Sequence, residues 1–250
     1  MTPSEIQRAL SRFEGEYKYP IVPDSPRFKK IRKIFNSLKD CKLILDVGCA
    51  NGAILSPLKD SFEIHGLDIS EVLVKEALQS GLKAQVADLE SRPIPYESDT
   101  FDAVLCSEVI EHFVDTDWVL FEINRVLKPG GVFVLTFPNI RTILGLLMML
   151  FLDLPPMFSA RYRAPHFRDF TLKVIKIALN KHGFIIQKAI GCSFYFPRIG
   201  EHWSGLASLL PSWASTTIVI AQKAGLSDYS TRDIVFDSEL SVISRSPCGR

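Results

Sequence analysis

From residue 42 to residue 137 the sequence alternates short apolar runs with segments of helical period. That alternation commits a chain to strands joined by helical crossovers, and so to a parallel sheet covered on both faces. Strands are expected at Lys42 to Val47, Phe62 to Leu67, Lys83 to Ala87, Phe101 to Cys106 and Val132 to Phe137. Helices are expected over Ala53 to Lys59, over Glu71 to Gln79 with a stop at Gly81, and over most of Glu108 to Leu127, closed by Pro129-Gly130-Gly131. Farther on, Thr171 to His182 has helical period, with Gly183 at the cap position. Phe184 to Ala189 and Thr217 to Ala221 predict two final strands. The fold class is therefore α/β, with an open doubly wound sheet.

The flanks are less regular. Residues 1–40 form an N-terminal helical segment, in which Phe28, Ile31, Ile34, Phe35 and Leu38 recur at helical spacing. Arg27, Lys29, Lys30, Arg32 and Lys33 surround them. The plain expectation is an amphipathic helix packed on the sheet with a solvated basic face; the alternative is a helix that binds phosphate or membrane. The serine-rich stretch 226–250 reads as a loose polar tail. The net charge of +1 removes any global electrostatic case for nucleic acid. Five cysteines without a CxxC pair suggest reduced thiols, and the polar first ten residues lack the apolar core of a signal peptide. The longest apolar run, Ile143 to Leu152, is half of the roughly 20 residues a spanning helix needs. A cytoplasmic protein is expected, with peripheral membrane contact left open.

The chemistry is concentrated at the first strand end, Leu45-Asp46-Val47-Gly48-Cys49-Ala50-Asn51-Gly52. A glycine turn after a strand lets backbone approach a ligand closely, and a helix N-terminus beyond it would favour negative charge. Dinucleotides use G-x-G-x-x-G at such a turn. S-adenosylmethionine uses a shorter acid-x-G-x-G-x-G turn, and Asp46-x-Gly48-x-Ala50-x-Gly52 has that spacing. Two more acids end the next strands, Asp68 in Leu67-Asp68-Ile69-Ser70 and Asp88 in Ala87-Asp88-Leu89. A carboxylate there can accept two hydrogen bonds from a ribose diol. A lone acid at a strand end is ordinarily a cap. Three at successive strand ends line the ligand crevice of an open parallel sheet.

Together with Phe101-Asp102-Ala103-Val104, Ser107 to His112 and Arg125 to Gly131, these pieces resemble the class I S-adenosylmethionine-dependent methyltransferases, in the type 11 and ubiquinone-pathway O-methyltransferase-like group. The resemblance covers roughly residues 40 to 190. It implies a Rossmann-like seven-stranded, mostly parallel sheet with a C-terminal antiparallel strand pair, as a domain over 41–225. It further implies S-adenosyl-L-methionine as cofactor. Asp46, Gly48, Ala50 and Gly52 would hold its methionyl end, Asp68 and Ile69 its ribose, and Asp88 and Leu89 its adenine, with Ser107 beneath the sulfonium. Ala50 departs from the pattern, which has glycine there.

A hydroxyl acceptor also needs a base. Glu108, Glu111 and His112 would share one face if the segment is helical, and His166 could join them from the insertion. His112, Glu108 and His166 are the candidate catalytic residues. The same set, with Glu111, is an alternative divalent-metal site. Residues 140–170, which carry Met148, Met149 and Met157, and the aromatic stretch 192–215 are expected to form a lid over an apolar or aromatic small-molecule acceptor. The alternative is that they merely cover the sheet. Methyl transfer to oxygen is the leading expectation. Its rivals are an RNA or protein methyltransferase, a cofactor-binding protein without turnover, and a nicotinamide oxidoreductase.

Overall fold

A computed structural model describes residues 25–153, 166–196, 200–227 and 229. The expectations for residues 1–24, for Met157 and the second half of the insertion, and for most of the tail lie outside the described residues.

The chain opens with helix α1 (Pro26–Asn36), capped by Ser25, whose hydroxyl accepts from the Phe28 N–H, with Pro26 pre-set in the first turn. Seven strands then build one sheet: β1 (Leu43–Val47), β2 (Glu63–Asp68), β3 (Lys83–Val86), β4 (Phe101–Ser107), β5 (Leu127–Pro138), β6 (Phe184–Gly191) and, last in sequence, β9 (Thr216–Lys223). Their order is β3-β2-β1-β4-β5-β9-β6. The first five run parallel, while β9 is antiparallel to both β5 and β6. A two-stranded ribbon, β7 (Phe194–Phe196) with β8 (Gly200–His202), lies apart from the main sheet.

Strands β1 and β4 read as continuous apolar runs because both of their faces are covered. One face packs with α3 (Thr116–Val126) and α5 (Leu172–Lys181) around Leu45, Val104, Phe133 and Leu179, and the other with α1 around Ile31, Phe35, Ile44 and Leu105. Helix α2 (Glu71–Gln79) spans β2 to β3. Two further helices, α4 (Ile143–Leu152) and α6 (Ser204–Leu209), follow β5 and β8. Strand order reverses between β1 and β4, so the crevice outside their carboxyl ends is the expected ligand position.

Four expectations are corrected. No α-helix spans 53–59; the only regular turn there is a 3-10 turn at Ser56–Leu58. Pro57 has no N–H to give the Ala53 carbonyl. Arg32 takes that carbonyl and the next, donating from Nη2 to Ala53 O (2.7 Å) and from Nε to Ile54 O (2.8 Å). Second, the helix that fills most of Glu108 to Leu127 does not include Glu108, Glu111 and His112. Glu108 adopts a left-handed φ of 56°, a 3-10 turn covers Ile110–His112, and the helix starts only at Thr116 under the Asp115 cap. Third, the basic face of α1 is not simply solvated. Lys30 Nζ donates to the carbonyls of Gly191, Cys192 and Ser204 and to Ser208 Oγ, and Arg27 pairs with Glu108. Fourth, the start of the tail is tied down. Ser227 Oγ lies 2.6 Å from Nδ1 of the buried His182, and Tyr229 donates to Asp115 while packing on Trp118 and Phe121.

Candidate active site

The turn after β1 is a run of alternating left-handed residues, with φ of 71° at Gly48, 46° at Ala50 and 77° at Gly52. Gly48 and Cys49 both donate to Leu67 O, which pins the turn to β2. A side chain at Gly48 would collide with Val109, so glycine there is required by packing as well as by φ. Ala50 pays a left-handed penalty that glycine would not. Its N–H points at Asp68 and donates to Oδ2 at 2.8 Å. The other oxygen of Asp68 accepts from Ser70 N at 2.9 Å. Burial pushes the Asp68 carboxyl up, and the N–H groups of Ser70, Ala50 and Ile69 hold it back.

Asp46 is the outlier. It is 1% exposed, and its Oδ2 meets no donor among the described residues. Burial, and then the charge of Asp68, push its carboxyl well above the usual range. Asp88 closes a turn at the end of β3, accepting from Glu90 N and Ser91 Oγ, with the buried Leu89 beside it. The expected caps and the expected acceptors are thus the same side chains. Three carboxylates converge at neighbouring strand ends, and no α-helix N-terminus opens onto the turn from 53–59. Such a crevice repels a pyrophosphate and suits a ligand that brings an ammonium group and hydroxyls. The acceptor set therefore fits S-adenosylmethionine and disfavours a dinucleotide.

Ser107 is buried at the end of β4, with its Oγ 3.0 Å from Thr136 Oγ1. Thr136 also donates to Glu108 Oε1 at 3.1 Å, and Arg27 Nη1 reaches Glu108 Oε2 at 3.1 Å. Glu108 is thus claimed by α1 and β5. Glu111, His112 and His166 come together: one ligand atom from each lies within 4.8 Å of the others, and Glu108 is not in that set. The two imidazoles meet edge to face at 5.0 Å. Glu111 is buried with its Oε2 unpartnered among the described residues, and burial followed by the charge of Glu108 drives its carboxyl well up. Burial lowers the pKa of His166 below the usual imidazole value, while Asp169 opposes this. Phe167 N and Arg168 N donate to Glu111 O, and the Arg168 guanidinium donates to Val114 O. These bonds clamp the end of the insertion onto the turn that carries Glu111 and His112.

Sequence reading missed Arg27, Thr136 and Val109. Thr136 carried a signal, as a lone hydroxyl inside an otherwise apolar β5 run. Arg27 carried none, since nothing local marks it from the other cations of α1.

This sheet order with its acidic strand-end crevice is the architecture of the class I methyltransferases. The comparisons agree: residues 45–135 match the family described as methyltransferase domain. Residues 45–135 thus carry a methyltransferase domain, in a fold shared with proteins described as S-adenosylmethionine-dependent methyltransferases. It is 29% identical to the human mitochondrial ubiquinone biosynthesis O-methyltransferase over 66% of this chain and 47% of that one. It is 36% identical to the probable methyltransferase PMT4 of Arabidopsis thaliana over 39% of this chain and 17% of that protein. The chain thus spans less than half the length of these curated relatives. The fold is shared with a Thermotoga maritima protein described as a S-adenosylmethionine-dependent methyltransferase, possible histamine N-methyltransferase, at a TM-score of 0.61 and 19% identity over 85% of this chain and 97% of that one.

Proposed function

We propose that this protein transfers a methyl group from S-adenosylmethionine to an oxygen of a small, apolar or aromatic acceptor. The observation that carries the cofactor half is the buried Asp46 oxygen without a donor among the described residues, set beside Asp68 at the head of an acidic crevice. When bound, the cofactor supplies a methyl group already activated on a sulfonium. In this reading Asp46 and the backbone of Gly48, Ala50 and Gly52 hold the amino-acid end. Asp68, with Ile69, accepts from the ribose hydroxyls, Asp88 and Leu89 border the adenine, and Ser107 forms the floor. Asp68 already satisfies two backbone donors, which fixes its carboxylate rotamer before any ligand arrives.

On the acceptor side, His166 is held neutral at pH 7 and can take a hydroxyl proton on a ring nitrogen, with His112 against it. Glu108 orders this wall through Thr136 and Arg27 rather than acting as the base. Positioning accounts for much of the rest, because an aligned acceptor needs little further chemistry. The choice of oxygen draws support from the likeness to ubiquinone biosynthesis O-methyltransferases.

The test is release of S-adenosylhomocysteine across a panel of phenols, catechols, amines and carboxylates. Turnover with hydroxyl acceptors only is expected; turnover with amines only contradicts the oxygen assignment. With the acceptor so found, His166→Ala should lose about a hundredfold in kcat while cofactor affinity holds. Equal loss of both would make His166 a structural residue.

A second reading has its own support. Glu111, His112 and His166 offer three donors in one place, with Glu111 Oε2 unpartnered, and could hold a divalent cation that orients the acceptor oxygen. Activity untouched by EDTA and not raised by Mg²⁺ or Mn²⁺ ends this reading.

A further inference from the structure

Helix α4 contradicts the usual logic of a soluble surface. Its sequence, Ile143 to Leu152, is apolar on every side, and Gly145 is its only buried residue. A helix apolar all round belongs in a core or in lipid. Here Ile143, Leu146, Leu147, Met149, Leu150, Phe151 and Leu152 are all exposed, with Leu150 at 74% and Phe151 at 73%. Ten residues rise about 15 Å, half the thickness of a hydrocarbon core, so α4 can lie in a bilayer surface but cannot cross it. Among the described residues no helix is long and apolar enough to cross a membrane.

The root of α4 is cationic. A cavity of about 190 Å³ is lined by Arg141, Lys173 and Lys176 together with Thr171, Leu172 and Ser212. Arg141 immediately precedes the Thr142 cap of α4 and stacks over Trp213, its guanidinium carbon 4.5 Å from the ring centroid. The two lysines stand on the exposed side of α5. Asn139 ties the strand end to this wall by donating to Ser212 O and Ala214 O. Leu209 and Leu210, which lead into Ser212, are exposed as well.

We infer that this face docks on an anionic membrane surface, with α4 lying in the headgroup–acyl boundary and the Arg141–Lys173–Lys176 cavity receiving lipid phosphate. A protein groove selects a helix with one apolar stripe and one polar face. An all-round apolar helix with three cations at its base matches instead a fluid apolar medium edged by anions. The inference does not rest on methyl transfer, since docking requires no cofactor.

The experiment is sedimentation of the full chain with vesicles of phosphatidylcholine alone, and of phosphatidylcholine mixed with phosphatidylglycerol. Stronger binding to the anionic vesicles is expected, weakening as salt rises. Leu150→Glu/Phe151→Glu should reduce partitioning at least about tenfold. Lys173→Gln/Lys176→Gln should reduce it about fivefold per lysine, on anionic vesicles only. Phe151→Trp keeps an aromatic at an exposed site and should show blue-shifted emission with anionic vesicles, a readout independent of whether the charged variants fold. Three outcomes overturn the proposal: no binding to either vesicle, binding that both double variants leave unchanged, or wild-type self-association that Leu150→Glu/Phe151→Glu abolishes without any vesicle binding. The last would make the face an interface between two copies of this chain.

Discussion

Asp46 is a poor residue for stability and a good one for binding. Its carboxyl is buried, one oxygen has no donor among the described residues, and Asp68 repels its charge. A carboxyl whose pKa is raised on folding binds its proton more tightly in the folded chain. Stability is therefore lost as pH rises above the unfolded value of 3.8 and through the raised folded value. Asp46→Asn should melt higher than the wild type at neutral pH, by about 2–4 °C for each kcal/mol relieved, and show no gain below pH 3.8. The same variant should bind S-adenosylhomocysteine at least about tenfold more weakly. Thermal melts from pH 3 to pH 8 with titrations at neutral pH check both halves. Ala50 makes the opposite case. A non-glycine residue in the left-handed region costs about 1–2 kcal/mol, and glycine returns about 0.5–1 kcal/mol of that as unfolded-state entropy. Ala50→Gly should therefore gain about 0.5–1 kcal/mol in urea unfolding and keep cofactor affinity. A loss of stability would show that the Ala50 methyl packs usefully.

At the scale of elements, local periodicity was a good guide to strands and a poor one to the turns between them. Strands β1 to β4 begin and end within a residue or two of expectation, and in β1 and β4 continuous burial on two faces leaves its mark in the residues themselves. The segment after Gly52 was misread because its conformation is decided from outside. Pro57 withholds one donor, and Arg32, more than 20 positions earlier in the chain, occupies the carbonyls a helix would use. The Glu108 to His112 face failed for a similar reason. Glu108 turns left-handed at the strand end and is held there by Thr136 and Arg27, so Glu111 and His112 meet His166 without it. Arg32→Ala should cost about 1–3 kcal/mol, since it strips the charged donors from Ala53 O and Ile54 O. The exposed Lys33→Ala should stay within about 0.5 kcal/mol. Equal costs in denaturant unfolding would mean that Arg32 does not shape the turn.

Across the whole molecule, the sheet order places the ends of β1, β2, β3 and β4 side by side, and function follows from what stands there. The strand-end half of the candidate site was legible because Asp46, Gly48, Asp68 and Asp88 mark strand ends that parallel topology must bring together. The acceptor half was only partly legible, because it depends on the 166–168 segment folding back onto Glu111 and Val114 across a long insertion. On the proposed function, an acidic, acceptor-rich crevice binds the adenosylmethionine skeleton and rejects a pyrophosphate. Calorimetric titration of S-adenosylhomocysteine and of NADH into the wild type, Asp46→Asn and Asp68→Asn measures it directly. One S-adenosylhomocysteine site per chain is expected, weakened at least about tenfold in each variant, with no heat from NADH. Binding of NADH, or S-adenosylhomocysteine affinity that neither substitution changes, would contradict it.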